Sequence, residues 1–199
     1  MLDHLLLGCP DLDAGMKLLE SRLGVQPAYG GVHPGMGSRN ALLSLGESYL
    51  EVIAPDPAQT ADGYGLRELK EPRFIWWAAG TDDVEKLAAR LAAAKVACEP
   101  VAPGSRARPG GQLLRWKALR LGDDLDGLLP FFIEWSRDSL HPSKDAPPGC
   151  RLGRLELATP DPRKLHELLA LLQLDVDVVP GPAPAIHARI EGPGGILEL

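Results

Sequence analysis

The chain has 199 residues, 45 % of them hydrophobic and 24 % charged, with a formal net charge of -6. This is ordinary globular composition, in a chain long enough to bury a core in one or two compact domains. No basic stripe suggests a nucleic-acid partner, and no apolar run approaches the roughly 20 residues that span a bilayer, so neither partner is expected.

The three cysteines, Cys9, Cys98 and Cys150, are odd in number and widely spaced. That argues against a disulfide framework or a paired zinc site and fits a reducing, cytoplasmic setting. The start Met1-Leu2-Asp3-His4 is not basic and precedes no small-residue cleavage site, so no secretory leader is expected.

The first segment, to about residue 56, opens with an apolar strand from Leu2 to Gly8. Pro10-Asp11 stops it, and Asp11 or Asp13 caps a helix whose Leu12, Met16, Leu19 and Leu23 recur at helical spacing before Gly24. Val25 to Tyr29 reads as a strand and Gly30 to Gly37 as a Gly-rich loop containing His33. Arg39–Leu45 and Ser48–Ala54 read as a hairpin about Gly46-Glu47. In the last of these strands, alternation puts Tyr49, Glu51 and Ile53 on one face, so a carboxylate stands among large apolar neighbours. A buried carboxylate needs a cation, a cationic partner or a proton, which makes Glu51 a candidate site residue.

The same order then repeats. Arg73 to Gly80 reads as a strand, Asp82 or Asp83 caps a helix, and a strand is expected near Val96 to Val101. The Gly/Pro-rich basic stretch from Pro103 to Gly111 reads as a loop, either simply solvated or a lid for an anionic substrate. Leu113–Leu121 and Leu128–Trp135 read as two further strands, the second carrying Glu134. Asp138 to Gly149 is the best linker, and Cys150 to Leu199 repeats the order a third time, with Pro162 at the first helical position and Glu198 in the last strand. The caps Asp11, Asp82 and Asp161 set a common register, and seven residues back lie His4, Ile75 and Arg154. The expected fold is α+β, built of repeated βαβββ modules. The first two pair around a cleft over residues 1–137, and a smaller third module covers 150–199 and docks on them or on a second copy of the chain, as a homodimer. Asn40 and Ser44 share a strand face and can donate to a substrate oxygen. Trp77 and Trp116 are either core or binding-wall residues. No phosphate-binding Gly-rich loop with Lys-Ser/Thr and no nucleophile elbow is present.

The stretches Leu2-Asp3-His4-Leu5, Pro10-Asp11-Leu12-Asp13, Leu23-Gly24-Val25, His33-Pro34-Gly35-Met36-Gly37, Arg39 to Gly46 and Tyr49 to Asp56 together resemble the glyoxalase-like domain proteins of the vicinal oxygen chelate superfamily. The resemblance is specific over the first segment and looser to about residue 137. It implies paired βαβββ modules forming a cup, with metal ligands from the first and last strands of each. By position these are His4, Glu51, Ile75 and Glu134, of which Ile75 cannot ligate. His4, Glu51 and Glu134 would then hold a divalent metal (Mn, Fe, Ni, Co, Mg or Zn), with Glu51 and Glu134 as catalytic carboxylates. His33, Asn40, Trp77 and Trp116 would contact a small oxygen-bearing substrate. The chemistry implied is that of a metal-dependent lyase, isomerase, epimerase or ring-cleaving dioxygenase. The alternative, favoured by Ile75 and the tryptophans, is a metal-free module that binds or sequesters a small molecule.

Overall fold

The computed structural model describes residues 1–107 and 110–199. Twelve strands and three helices follow one another in the order strand, helix, strand, strand, strand, three times over. The first module comprises β1 (Leu2–Gly8), α1 (Leu12–Leu23), β2 (Ala28–His33), β3 (Ser38–Ser44) and β4 (Tyr49–Pro55). The second comprises β5 (Arg73–Gly80), α2 (Val84–Ala93), β6 (Ala102–Ala107), β7 (Leu113–Leu119) and β8 (Phe131–Trp135). The third comprises β9 (Arg151–Thr159), α3 (Pro162–Leu172), β10 (Asp177–Pro180), β11 (Ala185–Gly192) and β12 (Gly195–Glu198).

The first two modules share one eight-stranded sheet, ordered β2-β3-β4-β1-β5-β8-β7-β6, joined where β1 and β5 pair antiparallel. In both, the last strand lies parallel to the first. The sheet curves until its ends, β2 and β6, lie side by side. Its convex side is covered by α1 and α2. Leu50, Val52 and Ala54 point into that core with Leu5 and Leu7, so alternation along β4 leaves Tyr49 and Glu51 on the concave side.

Each helix starts at an aspartate whose carboxylate accepts a backbone N–H: Asp11 from Ala14, Asp83 from Lys86 and Asp161 from Lys164. The cap of α2 is therefore Asp83 rather than Asp82. Counting back seven from it reaches Trp76, not Ile75, and Trp76 pairs across the sheet with Leu6. Ile75 is instead the extra residue of a β-bulge between β1 and β5, and it packs with Leu6, Ile53 and Leu66.

Two loop expectations are corrected. Gly30 to His33 lies in β2, and Ala102 to Ala107 forms β6, antiparallel to β7; Arg108 and Pro109 fall outside the described residues. Pro103 is tolerated because β6 ends the sheet. In the segment expected to be a strand near Val96 to Val101, one isolated bridge joins Cys98 to Leu121.

The third module keeps the element order but not the strand order. Its sheet runs β10-β9-β11-β12, with the second strand, not the last, parallel to the first. It packs on α1 through β11 and β12, where Gly194 N–H donates to the Leu23 carbonyl at 2.8 Å. Its apolar face merges with the main core through Leu157, Leu165, Ile190 and Leu197. No described helix is long and apolar enough to cross a membrane.

Candidate functional site

The concave side of the eight-stranded sheet encloses a cavity of about 560 Å³. One wall is polar and comes from the first module: His4 on β1, His33 on β2, Asn40 on β3 and Glu51 on β4. The other wall comes from the second module and is aromatic, apolar and cationic: Trp116, Phe131, Ile133 and Trp135, with Arg106 and Arg120.

Glu51 is the centre of the polar wall. Asn40 Nδ2 donates to Glu51 Oε1 at 2.6 Å, the His33 Nε2 lies 3.6 Å from the same oxygen, and the His4 Nε2 lies 3.5 Å from Oε2. Burial alone would raise the Glu51 pKa. The neighbouring His33 and His4 imidazoles, the Asn40 hydrogen bond and the Arg106 charge outweigh it and hold the carboxyl below its ordinary value. The Asn40 orientation follows from donor arithmetic: Arg106 Nη1 lies 3.1 Å from Oδ1, and a guanidinium only donates, so the amide nitrogen faces Glu51.

His4 is set by a second β-bulge, at Asp3, where two residues of β1 advance against one of β5. The bulge lets adjacent side chains converge, and Asp3 Oδ1 sits 2.6 Å from His4 Nδ1. Asp3 Oδ2 is also met by Trp135 Nε1 at 3.0 Å and His141 Nε2 at 3.1 Å. Burial raises the Asp3 pKa, but the hydrogen bonds to His141 and His4 reverse this and push it far below the usual carboxylate range. An ionised carboxylate only accepts, so His4 carries its Nδ1 proton toward Asp3 and turns Nε2 toward the cup. Tyr49 stacks on the imidazole, ring centroids 4.5 Å apart. His33 is oriented likewise, with Nδ1 2.9 Å from Ser38 Oγ. Burial first, then Arg106 and His4, lowers the His33 pKa against the opposing pull of Glu51.

The structure thus brings together His4, His33, Asn40, Glu51 and Trp116. It does not bring in Glu134 or Trp77. Phe131, Ile133 and Trp135 are the cup-facing residues of β8, so Glu134, one residue out of phase, points to the helix side. There its Oε2 accepts the Val84 N–H at 2.8 Å, at the start of α2. Trp77 is a core residue whose Nε1 donates to the Leu128 carbonyl. Ser44 Oγ donates to the Ser143 carbonyl, anchoring the linker. Asp3, Arg120, Trp135 and His141 were not expected at the site, and Arg106 was expected only as part of a loop, solvated or a lid. Only Arg106 carried a signal, a cation in a Gly/Pro-rich stretch.

The divalent metal implied by the resemblance can be tested on these positions. His4, Glu51 and Glu134 are not assembled, because Glu134 is on the other face. Among the described residues, no three His, Cys, Asp or Glu side chains are placed to hold an ion. The second module offers Trp76, Phe131 and Ile133 where further donors would be needed. The residues as arranged do not fit the metal.

This fold and cup define a paired βαβββ protein of the vicinal oxygen chelate type. The sequence profile of the glyoxalase-like domain matches residues 2–172, and the chain belongs to that family. No curated protein matches the sequence. Among solved structures, a hypothetical protein from Staphylococcus aureus is 15 % identical with a TM-score of 0.75, covering 99 % of this chain and 97 % of its own. A methylmalonyl-CoA epimerase from Streptomyces coelicolor, in complex with 2-nitronate-propionyl-CoA, is 26 % identical with a TM-score of 0.51, covering 67 % of this chain and 95 % of its own. A methylmalonyl-CoA epimerase in complex with methylmalonyl-CoA and NH4+ is 25 % identical with a TM-score of 0.51, covering 69 % and 96 %.

Proposed function

We propose that the cup binds a small oxygen-bearing organic molecule and moves a proton on a carbon next to its carbonyl group, as an isomerase-type enzyme. The observation that carries this reading is the array Asp3–His4–Glu51, with His4 Nδ1 2.6 Å from one carboxylate and Nε2 3.5 Å from the other. Asp3 holds the ring so that Nε2 faces the ligand and can take up or return a proton. Glu51, held ionised, is too weak a base to lead; it instead accepts a ligand hydroxyl or stabilises the imidazolium while His4 carries the proton. Tyr64 lines the same cavity. Burial, then the Glu51 charge, pushes its pKa up to about 12. It therefore keeps its proton and can donate to an oxygen that gains charge as the carbon is deprotonated. The likeness to epimerases whose structures hold acyl-CoA compounds supports an acyl thioester as substrate.

The test is solvent deuterium exchange at the carbon next to the reacting carbonyl, C2 of acyl thioesters and C3 of 2-oxo acids, followed by NMR. Exchange is expected with the wild type, to be lost in His4→Gln and to be slowed in Asp3→Asn. Because Asp3 acts through His4, its loss should also displace the pH profile of exchange rather than only weaken binding.

A second reading, a binding module without chemistry, is favoured by the aromatic wall, where Trp116 and Trp135 lie 5.4 Å apart. Saturable binding in the cup with no exchange into any of these compounds would establish it instead.

A further inference from the structure

We infer that the cup carries an anion subsite at Arg106, and that its ligand is a small carboxylate whose two oxygens lie on that guanidinium. The inference rests on the cup being a ligand site and names the ligand's chemical class. Arg106 is 4 % exposed. Its Nη1 donates to Asn40 Oδ1, and among the described residues no carboxylate lies within ion-pair distance of it. A guanidinium has five N–H donors and stays charged; among the described residues this one has a single, neutral acceptor, and Glu51, which feels its charge, stands behind Asn40 rather than in contact with it. The acid on the facing wall, Glu51, is already flanked by Asn40, His4 and His33. Glu99, at the rim, is exposed to water.

The fold makes a seat for this side chain. A Cβ on Gly30 would come within 2.4 Å of both Arg106 Nη1 and Asn40 Oδ1, and one on Gly31 within 2.8 Å of the Ala107 carbonyl. The two glycines let β2 and β6 close around the guanidinium. Arg120 lines the same cavity, its charge spread over the rings of Trp76 and Tyr64 at 5.2 and 5.9 Å. The planar fork of Arg106 matches the two coplanar oxygens of a carboxylate, which adds geometric selection to charge. The aromatic wall then receives the carbon skeleton, and the group next to the carboxylate faces His4 and Glu51.

The test compares phenylglyoxylate with its methyl ester, which lacks the charge and adds one methyl group, by calorimetric titration of the wild type, Arg106→Gln, Gly30→Ala and Glu134→Gln. The acid is expected to bind about tenfold or more tighter than the ester, the range of a charge-assisted hydrogen bond. Arg106→Gln should remove that preference. Gly30→Ala should also remove it, by unseating a guanidinium that is still present. Glu134→Gln, on the other face of the sheet, should keep it. Equal binding of acid and ester, or a preference that survives Arg106→Gln, overturns the subsite while leaving the cup as a ligand site. Inorganic phosphate displacing the acid at equal concentration overturns the carboxylate assignment. Binding of neither compound overturns the subsite, while the exchange experiment with thioesters still decides the cup.

Discussion

His33 sits neutral in the cup because burial disfavours its charged form, and so do the Arg106 and His4 side chains beside it. Its folded-state pKa lies below the ordinary 6.5. The stability it contributes is therefore complete above about pH 6.5 and is lost as pH falls through the folded value, because the unfolded chain takes up the proton first. Thermal melts are expected to show declining stability below pH 6.5, by up to about 1.4 kcal/mol per pH unit, and His33→Gln should flatten that limb. Asp3 and Glu51 act in the same direction but in a lower window, below their ordinary values of 3.8 and 4.5. A limb near pH 6 unchanged by His33→Gln would show that the ring is not held neutral. Glu51 was legible in the sequence because period-2 alternation sets a carboxylate among apolar neighbours, and His4 through the repeat register and the family resemblance. Asp3 was not, since a bulge is a pairing event between strands and leaves no mark in one of them. Glu134 misled because a one-residue phase difference is invisible in a short apolar strand and yet reverses the face.

The element that Glu134 serves is α2. Its carboxylate takes one of the first-turn N–H groups that a helix cannot satisfy internally, beside Asp83, which takes another. Glu134→Ala is expected to cost about 1 kcal/mol of stability, in the range of a lost cap, and to leave ligand affinity in the cup unchanged. Denaturant unfolding and calorimetric titration read the two effects separately, and a large loss of binding with little loss of stability would return Glu134 to the site. The helices were readable, though not each cap to the residue, because Asp before an apolar 3.6-residue period is a local signal, and a pair such as Asp82 and Asp83 leaves the cap open. The strands β2 and β6 were not. Their Gly and Pro residues report how closely two chain segments approach and where a sheet ends, and neither is local. Arg106 was half-hidden with them: read as part of a loop it is a solvated cation or part of a lid, while read on β6 it is a buried cation in the wall.

The whole molecule joins two sheets of different wiring. Element order was legible for all three modules, but the strand order of the third was not, because hydrogen-bond partners are chosen in space rather than along the chain. The join depends on a close approach of backbones: a Cβ on Gly194 would stand 2.6 Å from the Gly24 nitrogen. Gly194→Ala is expected to destabilise the protein by about 1–3 kcal/mol, as forced overpacking does. Gly110→Ala, where a Cβ meets nothing within 4 Å, should change little. Equal melting temperatures for the two variants would mean that the C-terminal sheet is not pressed against α1 in this way. The eight-stranded sheet has its own asymmetry. Among the described residues its halves are laddered together only at β1 and β5, while at the far side β6 lies beside β2 and reaches β3 through the Arg106–Asn40 contact. The cup is thus a book with one spine, and Arg106 lies at the seam opposite it. A ligand reaching from Arg106 to His4 would span both covers and act as a second clasp opposite the spine.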